Sequence, residues 1–215
     1  MTRPIRLNVD LATVDDNGIF ANQTLGGAGD ITLDGAEATG GVWTSLDSFA
    51  HQIAIESAGN VSGVTFTITG FRDSASLIAI TDTITGVNAG TVETTKYFYS
   101  ITSIAADGAV GTNIFGGAVD EAITRTIPLN WRGGITSVNL DFTGTANVTV
   151  QQTFDDVQDL NNLTYTWQDC PAASLVNATA NTNDAYDGIP TALRLKINSY
   201  STGAAINITI IQRNF

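Results

Sequence analysis

Sulfur and imidazole are almost missing from this chain. It holds one cysteine (Cys170), one histidine (His51) and one methionine. A single thiol excludes an intrachain disulfide, which fits folding in a reducing cytoplasm. Structural zinc takes roughly four Cys, His or carboxylate ligands, nearly always with sulfur or nitrogen among them, and this composition cannot supply such a set. Basic residues are scarce as well: nine Lys and Arg stand against 21 Asp and Glu, for a net charge of −12. They are scattered from Arg3 to Arg213 without forming a stripe. Phosphate neutralisation needs clustered positive charge, so nucleic acid is excluded as a partner; the same charge repels anionic membranes. No apolar run reaches the ~20 residues of a membrane-spanning helix. The opening stretch from Met1 to Asp10 lacks the apolar core of a secretion signal, so the expectation is synthesis and folding in the cytosol. Ala is plentiful, but no long amphipathic helical stretch uses it.

What is present is apolar residues at 43%, charged residues at only 14%, and a polar complement of Thr, Asn, Ser and Gly. Thr suits the exposed face of a strand because it is β-branched, and Gly, Asn and Asp suit turns. The reading is all-β. Its clearest segment is Trp131–Asp156, where Ile135, Val138, Leu140 and Phe142 form one apolar row and Val148, Val150, Gln152 and Phe154 a second. The two rows, split by Thr143-Gly144, predict an antiparallel hairpin with one buried face. Gly59–Gly70 aligns without a gap on Gly133–Gly144, and Tyr99–Ile104 resembles Leu195–Tyr200 in pattern. This repetition predicts two tandem antiparallel β-sandwich domains of jelly-roll or immunoglobulin-like type. The first spans 21–124, with strands near 61–69, 76–84, 91–104 and 109–115. The second spans 125–215 and carries a loop excursion over 155–190. Thr44–Ile53 either holds a helical turn or leads into a strand. Residues 1–20 are an extended N-terminal segment in which Ile5, Leu7, Val9 and Leu11 alternate. They form either the first strand of a sandwich or an arm laid on a neighbouring subunit.

Groups able to do chemistry are few. His51 and Cys170 fall in different predicted domains, which speaks against a Cys/His nucleophile. The Gly26-Gly27-Ala28-Gly29 run has no lysine and no following helix, so it is not a phosphate loop. Asp155, Asp156 and Asp159 cluster; they are either an acidic pair for hydrolysis or turn caps, one of them pairing with Arg194 or Lys196. Asn181–Gly188 offers several oxygen ligands near a glycine, without the spacing or terminal Glu of an EF-hand. Six Asn-X-Ser/Thr tripeptides read as compositional noise. Of three tryptophans, Trp131 is expected in the core, while Trp167, with Tyr165 and Tyr186, suits a contact surface. The expected set is therefore no catalytic residue, no cofactor and no metal, with Ile5, Leu7, Val9, Tyr165, Trp167 and Tyr186 at interfaces.

Val148–Val157, Trp167, Thr179-Ala180, Gly188–Leu195 and Thr209–Gln212 together resemble small β-sandwich virion proteins of tailed bacteriophages. The first domain is similar to phage head and tail components in texture only. The resemblance implies a non-enzymatic structural subunit of the virion, made in the bacterial cytoplasm. Its implied role is capsid decoration (cement), as a homo-oligomer with a trimer favoured, bound to the major capsid protein or other virion proteins. Two alternatives stay open: a neck, tail or baseplate component, and a glycan- or receptor-binding module using Trp167, Tyr165 and Tyr186.

Overall fold

The computed structural model describes residues 4–76, 78–130, 134–158 and 164–213, the last without its side chain. Trp131 and Asp159 lie outside the described residues. The chain is all-β: the described residues form strands and one short 3-10 turn, Ala173–Leu175. Among them no helix is long and apolar enough to cross a membrane. Two compact units result, Val14–Ala122 and a second assembled from Met1–Thr13 with Ile123–Phe215. The first strand, β1 (Ile5–Asp10), thus belongs with the C-terminal half.

The unit Val14–Ala122 contains β2 (Phe20–Leu25), β3 (Gly29–Asp30), β4 (Ala38–Thr39), β5 (Val42–Thr44), β6 (Ala50–Asn60), β7 (Thr65–Phe71), β8 (Ile80–Thr85), β9 (Asn88–Glu93), β10 (Ser100–Ala106) and β11 (Val110–Ile123). One sheet runs β4-β5-β10-β7-β8, with β3 also on β10. In the other, β6 lies between β11 and β9, and β2 pairs with β11. Strand β7 shows why these residues extend: Phe66 and Ile68 are fully buried, and the β-branched Thr65, Thr67 and Thr69 occupy the opposite face. Trp43, Phe20, Phe66, Phe98 and Ile53 build the core. Each such side chain contributes about 1.5–3 kcal/mol by leaving water. The Trp43 indole N–H keeps a partner by donating to Glu37 at 2.9 Å. The stretch 91–104, expected as one strand, is β9, a turn and then β10. The turn is held from a distance: the carboxylate of buried Asp82 accepts Thr95 N–H at 2.7 Å and Lys96 N–H at 2.9 Å. Burial alone would raise the Asp82 pKa, but these bonds outweigh it and hold the carboxyl below its ordinary value. Thr44–Ile53 leads into β6 rather than forming a helical turn.

The second unit adds β12 (Ile127–Pro128), β13 (Ile135–Thr143), β14 (Ala146–Thr153), β15 (Gln168–Asp169), β16 (Thr182–Asp187), β17 (Ala192–Tyr200) and β18 (Ala205–Arg213). One sheet runs β1-β18-β13-β16; the other places β14 between β15 and β17, with β12 on β17. Strands β13 and β14 do alternate as expected, but they are not a hairpin. β18 and β16 occupy both edges of β13, from Ile135↔Arg213 to Thr143↔Ala205 and from Ile135↔Asp187 to Leu140↔Thr182. The chain therefore passes through Thr143–Thr145 into the other sheet. The inward rows also differ in two positions. Phe154, expected to close the second row, lies past β14 and is 56% exposed. Thr136, Val138 and Leu140 are buried, whereas Ile135, three residues from Val138, falls on the opposite face. The β17–β18 connection crosses between sheets in the same way and lies against the first crossing, with Ser201 N–H donating to Thr145 O at 2.9 Å.

The aligned segments are not equivalent in pairing. β7 and β10 are direct neighbours, whereas β13 and β17 lie in different sheets. The excursion over 155–190 also holds more structure than a loop, including β15, the 3-10 turn and β16. Strand β1 pairs with β18 through six positions, and Ile5, Leu7 and Val9 face Ile210, Ile208 and Ile206.

Gly144 and Gly203 sit in the two crossings with φ of +76° each. A Cβ on Gly144 would come within 3.1 Å of Ala204 Cα, whereas one on Gly203 meets nothing within 4 Å. Gly203→Ala therefore costs only the left-handed strain of about 1 kcal/mol. Gly144→Ala adds a backbone clash and costs about 1–2 kcal/mol more. Urea midpoints of the two variants measure the difference.

Candidate functional site

The groups most able to do chemistry are tied into the fold. His51, at the start of β6, is 3% exposed. Its Nδ1 lies 2.8 Å from Val119 O and its Nε2 lies 3.1 Å from both Asp47 oxygens. Both neighbours are acceptors, so satisfying the two bonds at once requires a proton on each ring nitrogen. Asp47 also accepts Ser45 O–H at 2.7 Å and Phe49 N–H at 3.0 Å. Burial works to raise the Asp47 pKa; the bond and charge of His51, with the Ser45 and Phe49 bonds, outweigh it and hold the carboxyl below its ordinary value. Cys170 is buried, with its thiol directed at Ala172 O, and burial pushes its pKa up to about 11. Asp155 accepts Thr166 N–H and Asp156 accepts Gln158 N–H at 2.9 Å, so both carboxylates cap loop backbone. Asn181–Gly188 is mostly strand β16, whose alternation sends Asp184 and Asp187 to opposite faces. Ser174 O–H and Ala185 N–H donate to Asp184 and lower its pKa. Among the described residues no three His, Cys, Asp or Glu side chains gather as a metal centre would require.

The six expected interface residues separate into three places. Ile5 and Leu7 are half-buried and Val9 fully buried, all on the inward side of β1. Tyr186, on β16, is 8% exposed, and its hydroxyl has no protein partner among the described residues. Burial raises the Tyr186 pKa well above its ordinary value. Tyr165 and Trp167 are half-buried in the run leading into β15.

Trp167 belongs to the best-organised polar array of the second unit. The Arg194 guanidinium lies 4.4 Å from the centroid of its ring, within cation–π range. Arg194 Nε–H donates to Gln151 Oε1 at 2.9 Å, and the Gln151 amide donates to Asp169 at 3.0 Å. The cross-strand register explains the meeting: Gln151 stands opposite Arg194 on one side and Asp169 on the other. Further along the same face, Asn198 donates to Asn147, Thr149 and Asn177 at 2.9, 3.1 and 3.1 Å. The outward face of β14, β15 and β17, half-buried on β14 and β17 and exposed on β15, is thus a preorganised strip of amides, a carboxylate, a guanidinium and an indole. A shallow depression of about 330 Å³ marks the other sheet, lined by Ser137, Asn139, Asn183, Asp184, Thr209 and Ile211 among others. Sequence reasoning singled out Trp167 but missed Gln151, Asp169 and Arg194 as its neighbours. The period-2 polar positions of β14 and β17 were the available signal, and the register that joins them is not local.

Asp47→Ala leaves His51 and Ser45 without their acceptor inside the fold and lowers stability by about 3 kcal/mol, read by thermal unfolding. Because the folded pKa of Asp47 lies below the unfolded value near ~3.9, its contribution is complete above that value. It is lost as pH falls through the folded pKa, so the difference between wild type and Asp47→Asn narrows in acid. Cys170 resists alkylation in the native protein at neutral pH and reacts once the chain is unfolded, as mass spectrometry of labelled protein reports.

No protein-family model matches this sequence, and comparison with the curated proteins finds no similar one.

Proposed function

We propose that the chain is a structural subunit of a tailed-bacteriophage virion, a capsid decoration (cement) protein that binds the head shell and transforms nothing. Each unit is read as a two-sheet antiparallel sandwich of jelly-roll or immunoglobulin-like type. The passages from β6 to β7, β10 to β11, β13 to β14 and β17 to β18 each leave one sheet for another, as sandwich connections do. The observation that carries the functional reading is where the reactive groups are spent. His51 and Cys170 are buried, and Asp155 and Asp156 hold loop backbone. What the molecule offers outward is polar sheet faces and strand edges such as those of β1 and β16. Such edges pair with other chains, and closed symmetry favours a homotrimer at capsid three-fold positions. The charge of −12 keeps the free subunit soluble before assembly. Binding to the assembled shell, and not to its dissociated subunits, stabilises the shell through linkage.

Sedimentation of the purified protein is expected to give three times the 22.5 kDa chain mass. Phage heads stripped of the protein lose heat resistance and regain it on add-back. Unchanged resistance overturns the cement role and leaves a neck, tail or baseplate position to be tested by labelling the particle.

A further inference from the structure

The outward face of β14, β15 and β17 has a chemistry that does not depend on the virion reading. Groups that only accept, only donate, or do both are interleaved on it. Asp169 accepts, Arg194 and Lys196 donate, and Gln151 and Asn198 do both. A simple anion offers acceptors alone and a simple cation donors alone, so neither complements both kinds of group. A hydroxyl gives one hydrogen and accepts others, and a row of hydroxyls can satisfy such neighbours in turn. The molecule's net charge of −12 also disfavours anions at long range.

The geometry supports the same ligand class. Trp167 is half-buried beneath the Arg194 guanidinium, and its uncovered part supplies apolar surface for the C–H groups of a sugar ring. The Asp169–Gln151–Arg194 bonds, at 3.0 and 2.9 Å, hold three planar side chains in place before any ligand arrives. Little ordering entropy is then lost on binding. From Gln151 to Asn147, the half-buried positions of β14, the strip runs roughly 13 Å, long enough for two or three linked sugar units.

We infer that this face binds a neutral oligosaccharide laid along β14, with Trp167 and Gln151 at the centre of the contact. The test titrates the full chain with cellotetraose, maltotetraose and a mannotetraose, and with tetragalacturonate as the charged comparison, by calorimetry. At least one neutral tetrasaccharide is expected to bind with Kd below about 1 mM. Trp167→Ala and Gln151→Ala each weaken it about tenfold or more. The remote Leu46→Ala, at a 65% exposed position in the other unit, leaves the affinity unchanged. Circular dichroism confirms that each variant is folded. Should Trp167→Ala unfold the chain, Asp169→Asn serves in its place, with a loss of about threefold or more expected from its weaker hold on Gln151. Three results overturn the inference: no binding of any neutral tetrasaccharide at about 10 mM, tighter binding of tetragalacturonate than of every neutral one, or unchanged affinity in the folded site variants. None of them bears on head stabilisation, so the two readings fail separately.

Discussion

A β-strand has two hydrogen-bonding edges and no third, and the second unit is arranged around that limit. With β18 and β16 filling both edges of β13, the chain leaving β13 has no place beside it. It must turn out of the sheet and start another. The β17–β18 passage does the same, and the two crossings brace each other through Ser201 and Thr145. This arrangement lets alternating rows from both sheets be buried, Val138 and Leu140 from one and Val148, Val150, Leu193 and Leu195 from the other. A local hairpin would have used one edge of β13 for β14 and displaced β18 or β16.

This limit also explains what could be read in advance. Alternation is a property of a single strand, so the existence of β7, β13, β14, β17 and β18 was legible from Thr, Val, Ile and Leu at every second position. Pairing is a property of two strands that are often far apart. The turn at Thr143-Gly144 looks the same whether the chain folds back beside itself or crosses to another sheet, and only the competition from β16 and β18 decides it. The apparent internal repeat has the same origin: two inward rows with similar spacing match in sequence while their strands sit in non-equivalent places. Likewise, nothing local to Asn88–Ala106 announces that Asp82 will break that stretch into β9 and β10. The contact strip was half legible, since an aromatic in a polar loop stands out, but its partners arrive through the register of β14 with β15 and β17.

Acidic side chains carry much of the internal order. Asp47, Asp82 and Asp155 each gather backbone N–H groups or hydroxyls that turns leave without a strand partner. A carboxylate can accept several such bonds, so a chain with few helices and many turns has structural use for its surplus of acids. Part of the −12 charge thus serves as an internal fastening, and the exposed remainder shapes how the surface meets other molecules.

Strand β1 gives the chain an unusual order of assembly. Its partner β18 is made nearly two hundred residues later, so β1 must wait for it. The unit Val14–Ala122 is synthesised whole within that interval and can fold first. Closing the unit that holds β1 and β18 is then a long-range event, and such contacts are slow to form. Until it happens, the isoleucines of β18 and the apolar side of β1 stay exposed to other nascent copies, so synthesis rate and local crowding bear directly on yield.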